Sequence, residues 1–342
     1  MSQLNKPIHR TAQFGRAVYN MGRSRFWTGR PFFISHLITT RCFAHCPTCL
    51  WRGNSPEETA THRIIDFYHK ARHCGFVSTT IWGGEPLLRR DLFEITSAAR
   101  RAGIVTGLIT NGHLLPQYAD KVASTTDFLI VSLDFASRAH DEFRGVPGLF
   151  DNAIQGIRRV QQYNPDLKIM INSVVSRATV HEILPLVRLA EKLSTTITFE
   201  SVNYGAKQFD TGENVNLRLS QNQEQRVFRQ IKELKQDHPC INNSDAYLDV
   251  FINENSTYRC RAPFISLRVE PDGSVTNCRN RNRPLGNAYY DSLDEIVNSR
   301  KLRELQRQAA DCQACVDSGV IESSLFWEGD KRVIKNSMRW FR

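Results

Sequence analysis

The chain has 342 residues, 41% of them hydrophobic and 23% charged, enough for a large core domain and a smaller second one. No apolar run approaches the length of a membrane span, and residues 1–30 lack the continuous apolar stretch of a secretory signal. The nine cysteines are therefore expected in a reducing, cytoplasmic setting, as ligands or catalysts rather than disulfides.

The formal net charge is +10, and it is concentrated at the ends. Before Glu57 there is no acidic residue, while Lys6, Arg10, Arg16, Arg23, Arg25, Arg30, Arg41 and Arg52 are basic. Aromatic residues accompany them, among them Phe14, Tyr19, Phe26 and Trp27; the basic C-terminus carries Trp340 and Phe341. Three readings stand: solvated basic faces packed on the main domain, an interfacial segment that meets anionic lipid at a membrane surface or an anionic substrate, and, ranked below these, an organellar transit peptide. Phe14, Val18 and Met21 would share one helical face.

The elements then follow a rhythm. Strands are expected at 32–40, 77–82, 103–110, 127–134, 168–175 and 195–200, and helices at 57–73, 91–102, 115–124, 149–164 and 183–193. Strands alternating with helices imply βα units and a parallel sheet. Six strands by residue 200 suggest a partial (β/α)6 TIM-like barrel, and no GxGxxG follows any strand. Residues 221–237 read as a charged helix. From Tyr247 the pattern is hairpin-like, with a turn at Pro271-Asp272-Gly273, and residues 293–310 read as one helix. The division expected is a basic arm at 1–30, a barrel at 31–240, and a small α+β domain with a basic tail at 241–342.

The chemistry is carried by cysteine. Cys42, Cys46 and Cys49 form C-x3-C-x2-C in the loop after the first strand, where a βα barrel builds its active face. A zinc ion wants four ligands, and His45 lies inside the loop, where ligation would strain it. Three thiolates instead fit a [4Fe–4S] cluster that leaves one iron open. A second set, Cys260, Cys278, Cys312 and Cys315, has the pattern C-x12-G-x4-C followed by C-x2-C. Four thiolates can close one [4Fe–4S] cluster or form a zinc ribbon. Cys74 and Cys240 remain; Cys74 is read as a small buried apolar residue, and Cys240, after Pro239, as structural, with a catalytic thiol as the alternative.

The first motif resembles the signature of the radical S-adenosylmethionine (SAM) superfamily, and further pieces fall in register with it. Gly83-Gly84-Glu85-Pro86 follows the second strand, Thr110-Asn111-Gly112 ends the third, Ser132 and Asp134 end the fourth, and Asn172 lies on the fifth. The segment DEFRGVPGLF, residues 141–150, is similar to a stretch seen in many members. The resemblance covers roughly residues 32–200 and implies that the methionine amino group of SAM meets Gly84 and Glu85. It implies too that Ser132 and Asp134 meet the ribose, and that Pro86, Asn111 and Asn172 complete the SAM-facing set. One departure is Thr48, where an aromatic residue usually contacts adenine; Trp51 or Phe43 would have to replace it. The second cysteine pattern resembles the twitch form of the SPASM auxiliary-cluster domain and implies one auxiliary [4Fe–4S] cluster.

The function implied is reductive cleavage of SAM to a 5′-deoxyadenosyl radical, removal of a substrate hydrogen atom, and electron transfer through the auxiliary cluster. The expected substrate is a small molecule, lipid or sugar, and the expected electron donor a flavodoxin or ferredoxin. The sequence names no catalytic residue for the hydrogen-atom step. A peptide-modifying enzyme working with a separate recognition partner is the alternative, because only about thirty residues precede the first strand. A non-catalytic zinc or nucleic-acid-binding protein is more distant, since it leaves the strand-end motifs unexplained; no nucleic-acid partner is expected.

Overall fold

The computed structural model describes residues 15, 18–49, 58–202, 216–253, 257–278 and 284–338. Six parallel strands form its centre: β1 (Phe33–Thr39), β2 (Ser78–Gly83), β3 (Val105–Thr110), β4 (Phe128–Ser132), β5 (Lys168–Val175) and β6 (Thr196–Ser201). Helices α1 (Thr61–His73), α2 (Leu92–Arg101), α3 (Leu115–Thr125), α4 (Ala139–Arg144), α5 (Leu149–Tyr163) and α6 (Ile183–Lys192) return the chain between them. This is the (β/α)6 partial barrel the alternation implies.

Burial explains the arrangement. Along β5 the pattern alternates strictly, with Ile169, Ile171, Ser173 and Val175 buried and the residues between them half-buried. The buried set continues the core formed by Ile34, Ile38, Ile81, Leu108, Leu129, Val131, Ile197 and Phe199 with the apolar faces of the helices. The opposite, concave face carries Ser35, Thr80, Trp82, Ile130, Ser132, Met170 and Asn172, which are half-buried. That face is mixed in polarity, as the wall of a chamber would be.

Three further strands extend the sheet beyond β1. β7 (Ser266–Val269) runs parallel to β1, and β8 (Ser274–Thr276) and β9 (Gly286–Asn287) follow antiparallel. The β7–β8 turn requires Gly273, whose φ is +86° and where a Cβ would stand 2.3 Å from the Tyr289 ring. At the other edge, residues 240–243 cover β6. Ile197 donates to the Cys240 carbonyl, and Asn243 both accepts from Phe199 N–H and donates to its carbonyl.

Buried hydrogen bonds tie the added hairpin to the barrel. His36 of β1 lies between two hydroxyls, Tyr68 at 2.7 Å from Nδ1 and Tyr289 at 2.8 Å from Nε2. Burial, and then the charge of Arg89, push the His36 imidazole down to about 3, so it is neutral.

Helix α7 (Gln221–Asp237) matches the sequence reading and begins with a Ser220–Gln223 capping box. Two elements differ from it. Asp245–Ile252 is a helix, α8, where a hairpin-like pattern was expected: Ser244 caps it, and Ala246, Tyr247, Leu248 and Phe251 are buried together. Residues 293–310 form two helices, α10 (Leu293–Val297) and α11 (Arg300–Ala309), because Ser299 accepts from Leu302 N–H and caps the second. The short α9 (Ala262–Ile265), α12 (Ser318–Glu328) and α13 (Lys331–Ser337) follow, and single turns stand at Ser24–Thr28, Pro86–Leu88 and Val180–Glu182. Among the described residues no helix is long and apolar enough to cross a membrane. The expected helical start at Glu57 lies outside the described residues; α1 begins at Thr61.

Candidate iron–sulfur and SAM site

The loop bearing Cys42, Cys46 and Cys49 leaves the C-terminal end of β1, and its root is braced. Arg41 forms a two-nitrogen ion pair with Glu58, 2.7 and 2.9 Å, and Thr39 Oγ1 donates to the same carboxylate. Gly84 N–H donates to Thr39 C=O and Glu85 N–H to Arg41 C=O, each at 2.8 Å. A Cβ on Gly83 would stand 2.2 Å from the Thr39 oxygen, and one on Gly84 2.2 Å from the Arg41 oxygen. The glycine pair thus lets β2's end lie directly against the start of the cysteine loop.

Beneath this contact the Glu85 carboxylate is fully buried. It accepts from Thr110 Oγ1 at 2.7 Å, Asn111 N–H at 2.8 Å and Leu87 N–H at 3.0 Å. Burial raises it to about 6, against the pull of these donors. Pro86 opens the one-turn helix Pro86–Leu88. Asn111 then reaches the loop: its Nδ2 lies 4.0 Å from Cys42 Sγ, a weak N–H···S contact.

The far side of the loop is held by α4. His45 N–H donates to Arg144 C=O at 2.8 Å. The Arg144 side chain is almost wholly buried and pairs with the fully buried Asp134 through Nε at 2.8 Å and Nη2 at 2.7 Å. Burial alone would lower the guanidinium, but Asp134 and then Cys46 hold it above its ordinary value. Asp134 also accepts from Val174 N–H at 3.0 Å, so both of its oxygens are engaged by the protein. Ser132 and Asn172 are half-buried register partners on β4 and β5. Phe43 packs edge-on to His113 with centroids 5.0 Å apart; Thr48 is half-buried, and Trp51 lies outside the described residues.

The three thiols lie within electrostatic reach of one another. Burial first, and then the charges of Glu85, Cys46 and Cys49, push Cys42 up to about 11. Cys46 is raised by burial while Arg144 opposes the shift. Thiols that resist ionisation alone ionise readily on binding iron, whose positive charge removes their mutual repulsion. Among the described residues no three His, Cys, Asp or Glu side chains converge on a single-ion site. The fit to a cluster rests on the donor set: three grouped sulfurs, a nearby N–H donor and a buried cation.

The second group forms around the C-terminal hairpin. Asn277 accepts from Arg268 N–H at 2.9 Å and donates to Ser266 C=O at 2.6 Å, fixing the end of β8 beside the start of β7 and so the place of Cys278. Cys260 N–H donates to Cys312 C=O at 3.3 Å. The Tyr258 hydroxyl donates to Cys315 C=O at 2.7 Å and accepts from Cys315 N–H at 3.1 Å. Burial, then Cys312 and Cys278, push Cys260 up to about 11. Four thiols gathered this way fit a fully ligated cluster. Cys74 is half-buried, and Cys240 points its sulfur at Val187 C=O.

The structure thus brings the Cys42 loop, Gly83–Pro86, Asn111, Ser132 and Asp134 to the C-terminal edge of the parallel strands, while Cys278 lies beside the start of β7. Sequence reasoning left Arg144 without a role, although it stands inside the quoted segment 141–150, and it did not foresee that Asn111 faces Cys42.

Comparison with known proteins agrees with this geometry. Residues 37–190 match the family model described as "Radical SAM superfamily", and residues 260–316 match "SPASM: Iron-sulfur cluster-binding domain". A Methanosarcina barkeri protein named AdoMet-dependent heme synthase is 34% identical over 48% of this chain and 49% of its own length. One of the same name from Nitratidesulfovibrio vulgaris is 32% identical over 46% and 44%. The chain spans about half the length of these relatives. Among solved structures, Streptococcus suis SuiB bound to S-adenosylmethionine superposes with a TM-score of 0.68 at 16% identity, over 89% of this chain and 76% of that one. Native anSMEcpe with bound AdoMet and Cp18Cys peptide gives 0.65 at 16% identity, over 91% and 96%; at these identities the likeness is one of fold. The chain is a radical SAM enzyme with a C-terminal SPASM-type iron–sulfur domain, a superfamily whose cofactors are S-adenosylmethionine and [4Fe–4S] clusters.

Proposed function

We propose that this enzyme oxidises, or forms a bond on, a biosynthetic small molecule held against the concave face of the sheet. The observation that carries the reading is the difference between the two thiol groups, three donors in one and four in the other. Three protein ligands leave one iron for SAM, whereas four leave none for substrate and suit electron transfer alone. When bound, the first cluster would supply the electron for reductive cleavage of SAM, and with it the radical chemistry that activates a substrate C–H bond.

The chain's own residues do the positioning. Cys42, Cys46 and Cys49 would hold the first cluster and Cys260, Cys278, Cys312 and Cys315 the second. Gly83, Gly84, Glu85 and Pro86 shape the edge that meets the methionine end of SAM. Ser132 and Asn172 face it from β4 and β5, and Asn111 turns its amide toward Cys42. Asp134 acts through Arg144, keeping a buried positive charge beside Cys46 and Cys49. The half-buried chamber wall excludes bulk water from a reactive radical.

The relatives named heme synthase favour a tetrapyrrole-like or other largely apolar substrate over a sugar, and Trp82, Ile130 and Met170 on the concave face are apolar contacts of that kind. We place the enzyme in a reducing, cytoplasmic setting, where its nine cysteines stay available as ligands. An acidic flavodoxin or ferredoxin supplies the electrons, favoured by the net charge of +10. The test is isotope transfer: reconstituted, reduced enzyme is given SAM and perdeuterated candidates, beginning with porphyrin carboxylates, isoprenoid lipids and amino sugars. Deuterium appearing in 5′-deoxyadenosine identifies the substrate. SAM cleavage with no transfer from any apolar candidate, and transfer from a peptide instead, would overturn the small-molecule reading.

A further inference from the structure

Two large aromatic side chains stand in the open on a turn that the rest of the protein holds rigid. Phe26 is 68% exposed and Trp27 77%, neighbours in the π-helical turn Ser24–Thr28, with Tyr19 67% exposed on the helical residues just before it. The turn is anchored. Ser24 is buried and donates to Arg30 C=O, and Gly29 N–H closes the turn on Ser24 C=O at 2.8 Å. Gln306 donates to Gly29 C=O at 2.7 Å. Behind the turn, Phe264 and Trp327 pack together with centroids 5.7 Å apart. A fixed pair of exposed aromatics loses apolar stabilisation to water unless something covers it.

Within the turn the exposed charge is positive. Arg25 is exposed beside the aromatic pair, stacking on Phe26 and donating to Glu328 C=O. The acids near the turn are already neutralised, Glu328 by Arg261 and Asp294 by Arg30. The first 30 residues hold six Lys and Arg and no Asp or Glu. Aromatic rings at the level of lipid headgroups, flanked by arginine, are the chemistry of an anionic bilayer surface.

We propose that Phe26, Trp27 and the arginines beside them dock the enzyme onto an anionic lipid surface. The turn precedes the N-terminal end of β1, while the Cys42 loop follows its C-terminal end. The seven residues between separate the two by about 20 Å. The docked face is therefore remote from the SAM site: it tethers the enzyme and does not feed substrate into the chamber. This goes beyond the proposed reaction and stands or falls separately from it.

The test is co-sedimentation of the full chain with phosphatidylglycerol/phosphatidylcholine vesicles and with pure phosphatidylcholine vesicles. Binding is expected to the first alone, to fall in high salt, and to weaken about tenfold for each of Phe26→Ser and Trp27→Ser. SAM cleavage by the variants is expected to equal the parent's. Brominated lipid is expected to quench tryptophan emission of the parent but much less of Trp27→Phe, a conservative change that keeps the fold. Absence of binding to anionic vesicles, or equal binding by the variants, overturns the proposal. A dimer that Phe26→Ser/Trp27→Ser splits, or a complex with an acidic electron carrier that it abolishes, would assign the face to that partner instead.

Discussion

Acidifying the metal-free protein from pH 7 to pH 5 removes about 2 kcal/mol of stability through His36 alone. The imidazole is fully buried between the Tyr68 and Tyr289 hydroxyls, and burial with Arg89 holds it at about 3. In the unfolded chain it titrates near its ordinary value of 6.5. The folded value is the lower one, so the unfolded state takes up the proton first. Stability is full above the unfolded value and is lost as pH falls through the window between 6.5 and about 3. The loss is about 0.7 kcal/mol by pH 6 and about 2 kcal/mol by pH 5. Urea unfolding followed by tryptophan fluorescence at these pH values, on the parent and on His36→Leu, measures it. At pH 7 the variant is less stable, because the Tyr68 and Tyr289 hydroxyls lose their buried partner, at about 1–3 kcal/mol. It is nevertheless less sensitive to acid than the parent. His140, also held at about 3 by burial and Arg144, contributes equally to both proteins, so the difference isolates His36. Identical pH slopes in parent and variant would refute the reasoning.

Three further outcomes follow from the site. Arg144→Met leaves the Asp134 carboxylate buried without its cation and destabilises the protein by about 3–5 kcal/mol; a change under about 0.5 kcal/mol in urea midpoint analysis would show that the pair is not what holds α4. Asn111→Ala removes the N–H facing Cys42 Sγ, and potentiometry of the reconstituted enzyme should find the first cluster at a lower potential, with the second unmoved. Gly84→Ala drives a Cβ into the Arg41 carbonyl oxygen, so iron at the first site and SAM cleavage are lost while far-UV circular dichroism keeps the parent's strand and helix content; normal iron loading would contradict the close approach.

Much of this architecture is legible in the sequence because its strongest signals are local. The strand at 168–175 and the helix at 221–237 coincide with the observed elements, since alternation and a capping box are short-range patterns. The cysteine spacings likewise state their donor sets directly. What the sequence conceals is tertiary. The pairing of β7 with β1 joins residues more than two hundred positions apart, so no local pattern reveals that the C-terminal hairpin extends the barrel sheet. The run around Tyr247 looks like a strand until its burial among helices sets its period. Arg144 is an ordinary surface arginine by composition. Only the fold places it between Asp134 and the cysteine loop, where both Asp134 oxygens are taken by protein donors.

The account's central claim is that two cysteine groups hold two different clusters, and iron counting joined to SAM cleavage tests it most directly. The protein is purified without oxygen, reconstituted with iron and sulfide, reduced, and given SAM. The parent should hold about eight irons per chain and release 5′-deoxyadenosine. Replacing Cys42, Cys46 and Cys49 by Ala should leave about four irons and abolish 5′-deoxyadenosine. Replacing Cys312 and Cys315 should also leave about four but preserve SAM cleavage. Zinc in place of iron, or SAM cleavage that survives loss of the first three cysteines, would contradict the account.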